Sequence, residues 1–217
     1  MVRAISALLV AGVLAVGHAG HVAGADLSRA QAIRQLSSGK PDARRSAVER
    51  LGAIGRMADS QTLAGLLGDP DEYTRQAAEA SLWRIWARSG DARVDAVLQL
   101  GLAQMNSSAA ESAIATFGEV IRMKPDFAEG WNKRATVLFF MGRYKESMAD
   151  CDEVLKRNPH HFGALSGVGQ IYARLENYEK ALEYFERALA INPNMTGVAQ
   201  SVESLRRLIA QQRRSAT

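Results

Sequence analysis

Pro125, Pro159 and Pro193 stand 34 residues apart, and the 34-residue windows they close carry the same small and bulky residues at the same places. A period of this length marks a unit of two helices that cannot bury its apolar face alone and has to stack on neighbours. The chain is therefore predicted to be a helical repeat array. Stacked helix pairs leave a concave face, which points to an interaction scaffold rather than a catalyst.

Counting each proline as the thirty-second residue gives the windows 94–127, 128–161 and 162–195. The third is the fullest, with Leu165, Gly169, Tyr172, Tyr178, Ala181, Phe185 and Ala188 at helix-packing intervals. The second answers with Trp131, Ala135, Leu138, Tyr144, Ser147, Cys151 and Val154, and the first with Val97, Leu100, Gly101, Ala113, Phe117 and Val120. Two antiparallel helices that cross closely need small residues at the crossing, so Gly101, Ala135 and Gly169 are expected to face Ala113, Ser147 and Ala181. Aromatic rings fill the spaces between units. Proline ends the second helix because it lacks an amide hydrogen and disfavours helix in the residue before it. Gly142 and Asn177 fall in the turns inside the units, and Asp126 with Glu129 reads as a capping-box variant for a helix beginning near Phe127.

Over about 100 residues these windows resemble the tetratricopeptide repeat. The resemblance implies an all-α fold, a right-handed α-solenoid of antiparallel helix pairs, with a groove lined by the first helix of each unit. The places that line it in the family hold Gln99, Leu102 and Asn106 in the first unit, Asn132, Lys133, Thr136 and Phe140 in the second, and Gln170 and Arg174 in the third. Lys133 and Arg174 can receive a carboxylate and Phe140 an apolar side chain, chemistry suited to an extended peptide or a partner's tail. The family's carboxylate-clamp variant has asparagine at the sixth place of the unit. This chain has Gln99, Lys133 and Gly167 there and departs from that variant.

Upstream, a fainter self-similarity runs at an offset of 31, matching Arg44, Ala47, Leu51 and Ile54 to Arg75, Ala78, Leu82 and Ile85. Asp42 and Asp71, each after a proline, open these two helices, and Leu63, Leu66 and Leu67 before Gly68-Asp69-Pro70 read as a second helix and its turn. The segment from Pro41 to about Arg88 resembles one and a half HEAT-type repeats, within a region taken as 26–91. Only Ser89, Gly90 and Asp91 separate it from the next helix, so Ala92–Met105 is expected to close the HEAT-like part as well as open the tetratricopeptide part, 92–195, in one continuous superhelix. Trp83 and Trp86 are then expected to pack against the first tetratricopeptide helix. Residues 27–36 and 196–217 read as capping helices with polar outer faces.

At the N-terminus, Arg3 precedes an uncharged run from Ala4 to Val16 and small residues ending in Ala23, Gly24 and Ala25. This resembles a secretory signal peptide, 1–25, with cleavage expected after Ala25. A cut after Ala19 and retention as a membrane anchor are the alternatives, although the apolar run is short for a span of about 20 residues. Export to a bacterial periplasm follows as the expected location. Lys and Arg number 27 against 23 Asp and Glu, too even a balance to argue for nucleic acid. The expected partner is a protein or peptide, with membrane contact at most peripheral, through arginines such as Arg206, Arg207, Arg213 and Arg214.

Reactive groups are scarce. Cys151 is the only cysteine and occupies a core place, which favours a buried, inert thiol. His160 and His161 are adjacent in a turn, where side chains diverge, and are expected to be solvated rather than ligands. With no nucleophile signature, phosphate loop or metal motif, no cofactor and no catalysis are expected. The composite expectation is an exported, non-enzymatic scaffold for assembling an envelope or secretion complex, or alternatively a non-catalytic accessory subunit of an envelope enzyme.

Overall fold

The computed structural model describes residues 27–215, and the signal-like segment lies outside the described residues. Among the described residues there are eleven α-helices and no strand. The N-terminal part comprises α1 (Arg29–Gln35), α2 (Pro41–Ile54), α3 (Ser60–Ala64) and α4 (Glu72–Trp86). The repeats follow as α5 (Ala92–Asn106) with α6 (Ala110–Met123), α7 (Ala128–Phe140) with α8 (Tyr144–Arg157), and α9 (Phe162–Arg174) with α10 (Tyr178–Ile191). The last helix, α11 (Thr196–Ser215), lays Val202, Leu205 and Ile209 on the end of the stack.

The 34-residue period is written into the backbone at both kinds of turn. Between units, the residues before the three prolines, Lys124, Asn158 and Asn192, all leave the helical region, with φ of −146°, −139° and −124°. The proline ring denies them the helical conformation, so each second helix stops at the same place. Inside the units, Ser108, Gly142 and Glu176 share the left-handed conformation, with φ of 61°, 74° and 58°. Only the middle one is glycine, so Ser108 and Glu176 hold a conformation that costs a side-chain-bearing residue about 1 kcal/mol or more. Stacking of the pairs outweighs that cost.

The small first-helix residues make room for a ring rather than for the small residues opposite. A Cβ on Gly101 would lie 2.5 Å from the Phe117 ring, and one on Gly169 would lie 2.6 Å from that of Phe185. In the second unit the ring is replaced by Cys151, and alanine, Ala135, is then tolerated in the glycine's place. Ser147 turns its hydroxyl onto the Ala135 carbonyl at 2.8 Å. Glycine and phenylalanine, or alanine and cysteine, are thus paired choices of volume within one crossing.

The N-terminal helices do not continue the stack. α2 and α4 cross closely, Gly52 against Ser81, whose hydroxyl donates to the Val48 carbonyl at 3.0 Å. The segment between them is short and irregular, α3 flanked by 3₁₀ turns at 57–59 and 65–68, rather than a full second HEAT helix. Instead of leaning on α5, α4 turns back along the row of proline turns. Near its start, Arg75 Nε donates to Asn194 Oδ1 at 3.0 Å, and Asn194 Nδ2 donates to the Leu67 carbonyl at 2.7 Å. At its end, Trp86 stacks on His161 with centroids 4.6 Å apart. Just beyond, Lys124 Nζ donates to the Ser89 carbonyl at 2.6 Å. The helix touches the third and second of these turns, and the residues just after it reach the first, along a helical run of 15 residues, about 22 Å long. The core records the same junction: Leu51, Leu82 and Trp86 share one apolar cluster with Phe162, Leu165 and Ala188. The expectation that Ala92–Met105 closes the HEAT-like part is corrected accordingly, and Leu100 on the outer face of α5 stays more than half exposed.

Candidate partner-binding groove

The first helices α5, α7 and α9 line the concave face, and α7 touches both of the others. α7 and α9 begin at proline turns and α5 at the Ser89-Gly90-Asp91 turn that follows α4, and each ends at a turn inside its unit. The two ends of these helices consequently have different surroundings.

At the beginning, the face is closed. Trp83 lies against Gly163, where a Cβ would come within 2.7 Å of its ring, and packs edge-on to Phe162 and His161. Trp86 donates its indole N–H to Ser60 Oγ at 3.2 Å. Both tryptophans thus pack on the third unit, not on the first tetratricopeptide helix. His161, expected to be solvated, is fully buried between Trp86 and the start of α9. Its Nδ1 accepts the Ala164 N–H at 3.0 Å and caps the helix, which leaves the ring proton on Nε2, directed to Glu129 Oε2 at 3.3 Å.

Glu129 is the centre of this closed end and was not anticipated as such. It is 2% exposed and pairs with Lys133 Nζ at 2.8 Å, while Asn132 Nδ2 donates to it at 3.2 Å. It does not cap α7, whose N-cap Phe127 has no side-chain bond, because its carboxylate is drawn inward to His161 and Lys133. Burial alone would raise its pKa, yet the Lys133 charge and the His161 hydrogen bond hold it at about 2. The spacing of Glu129 and Lys133, four residues apart, is the one signal in the sequence that could have found the pair.

The groove residues named from the sequence divide accordingly. Asn132 is buried with its amide N–H given to Glu129, and Lys133 is half-buried with its charge already matched. Thr136 and Gln170 are half-buried, with hydrogen bonds to the Asn132 carbonyl at 2.9 Å and to Ser166 Oγ at 3.4 Å. Leu102 is half-buried on α5. Gln99, Asn106, Phe140 and Arg174 are exposed, Phe140 by 58%. Apart from Gln99, midway along α5, the open part of the face is the far end of the three helices. Cys151 lies on the other side of α7, buried, and burial with Asp150 and Asp152 nearby pushes its thiol up to about 12, out of reach of nucleophilic use. No helix of the described residues is long and apolar enough to cross a membrane.

Comparison with known proteins matches residues 128–161 and 163–195 to models of the tetratricopeptide repeat. A TPR repeat-containing protein of Rhizobium etli is 37% identical over 142 residues, covering 65% of this chain and 69% of that one. The Hsp70-Hsp90 organizing protein of Triticum aestivum is 26% identical over 97 residues, 43% of this chain but only 17% of its own length. Among solved structures, the Sgt2 TPR domain of Aspergillus fumigatus superposes with a TM-score of 0.55 at 19% identity, over 58% of this chain and 85% of that one. The first TPR of Spaghetti (RPAP3), bound to the HSP90 peptide SRMEEVD, gives 0.53 at 19% identity, over 55% and 96%. At these identities the structural likenesses establish the fold.

Proposed function

The chain belongs to the tetratricopeptide-repeat proteins, and from that premise we propose that it is an exported, non-catalytic scaffold that docks a peptide or partner protein in its concave groove. Its family and fold are those of a protein-interaction module. The observation that carries the groove reading is the open far end of the first helices, where Phe140 presents a mostly exposed ring. A large aromatic ring held out by a rigid helix provides contact area at little entropic cost. The Spaghetti domain in its HSP90 peptide complex is a solved example of this fold holding a peptide. The present groove would hold its ligand differently, since Lys133 at the sixth place of the second unit is already paired with Glu129.

Affinity capture from the cell envelope tests the reading. Phe140→Ala is expected to lose the captured partner while leaving helicity unchanged, and retention of the same partner at the same yield would count against the groove. Export rests on the residues up to Ala25 and has a separate test. The protein isolated from cells is expected to begin at Asp26, and a mature chain that still begins at Met1 would overturn export by cleavage. A role in assembling an envelope or secretion complex follows from these two properties together.

A further inference from the structure

Building on that groove reading, we propose that the N-terminal helices confine recognition to the far half of the concave face, and that this half takes an extended acidic segment carrying one large apolar side chain. Three successive first helices place Asn106, Phe140 and Arg174 at the same point of the repeat, 34 residues apart, and all three are exposed. A segment crossing the units would meet an amide, a phenyl ring and a guanidinium in that order. In the second and third units the near half is unavailable to it, because Trp83 covers Gly163 and because Glu129, Asn132 and Ser166 are buried.

Charge selects the partner. The first helices carry only two acids, Asp95, which accepts the Ser89 N–H at 2.9 Å, and Glu129, which is matched by Lys133. Of their cations, Arg93 pairs with Asp91, Lys133 with Glu129 and Arg134 with Asp150. Arg174 forms no ion pair among the described residues, so it is the one unmatched positive charge on the first helices and favours a carboxylate beside it. Neighbouring helix axes lie about 8–10 Å apart and an extended chain advances about 3.3 Å per residue. The carboxylate should accordingly stand about three residues from the apolar anchor that meets Phe140.

The test uses the full chain and fluorescein-labelled Gly/Ser peptides carrying one Phe with a Glu three residues before it or three residues after it, alongside versions with Lys in place of Glu. One Glu peptide is expected to bind at least about tenfold more tightly than its Lys counterpart, and Arg174→Glu or Phe140→Ala to erase most of that preference. Backbone amide shifts on binding are expected at residues 138–141 and 172–175 and not at Glu129 or Ser166. Equal binding of Glu and Lys peptides, indifference to Arg174→Glu, no binding of either Glu peptide, or shifts centred on Glu129 and Ser166 would each overturn the proposal. If the Glu peptides fail while the envelope partner is still lost with Phe140→Ala, the groove stands and only its acidic ligand falls. If both fail, the groove reading goes with it.

Discussion

Trp86→Ala is expected to cost about 3–5 kcal/mol of unfolding free energy, measured by urea denaturation, and to loosen the proline turns on which α4 rests. The indole is buried, stacked on His161, packed on Phe162 and hydrogen-bonded to Ser60. Its removal leaves a cavity between the N-terminal helices and the third unit, and takes from Ser60 Oγ the N–H it accepts. Because the cavity lies at the joint rather than inside a helix pair, hydrogen exchange should accelerate first at 158–163 and 192–195. The Gly169–Phe185 crossing, packed within one unit, should keep its protection. Trp83→Ala should cost less, since that ring is only half-buried. If Trp86→Ala cost under about 1 kcal/mol, or if exchange rose uniformly, α4 would not be the brace described above.

The brace also shows where sequence reasoning reaches its limit in this chain. The units themselves were legible because their signals are local and repeated: pre-proline residues must leave the helix, and a small residue in one helix is paired with a ring or a thiol in the next. The matching, exposed places of Phe140 and Arg174 on the first helices follow from the same period. The position of α4 was not, because the match at an offset of 31 relates α2 to α4 but says nothing about which surface outside the pair they cover. That choice depends on shape, on Gly163 leaving room for Trp83 and His161 offering a flat ring to Trp86. A histidine in a turn reads as solvated unless the covering helix is known, and Glu129 reads as a cap for the same reason. Both misreadings are one missed contact seen from two residues. Burial of Asn132 and neutralisation of Lys133 follow from it, and less of the first-helix face is open than the repeats alone imply.

Glu129→Gln is expected to destabilise the chain by about 3 kcal/mol at pH 7, with the deficit shrinking as the solution is acidified. The carboxyl is buried and would by burial alone rise, but Lys133 and His161 hold it at about 2 in the folded chain, against an ordinary value of 4.5. A group whose folded pKa is depressed contributes stability above its unfolded value and loses it as pH falls toward the folded one, here between about pH 5.5 and pH 2. Glutamine keeps the shape and can still accept from His161 and Asn132, so what it removes is the charge that answers Lys133. Roughly half of the difference or less should remain at pH 3. Asp59, Asp69, Asp71 and Asp91 also lie below their ordinary range and will weaken the fold in acid, but they do so in both chains, and the difference between the chains isolates Glu129. Equilibrium denaturation of both proteins across this range provides the comparison. A difference that stays constant with pH would mean that the carboxylate is not the anion holding the closed end of the groove together, and that the packing of Trp86 and His161 suffices without it.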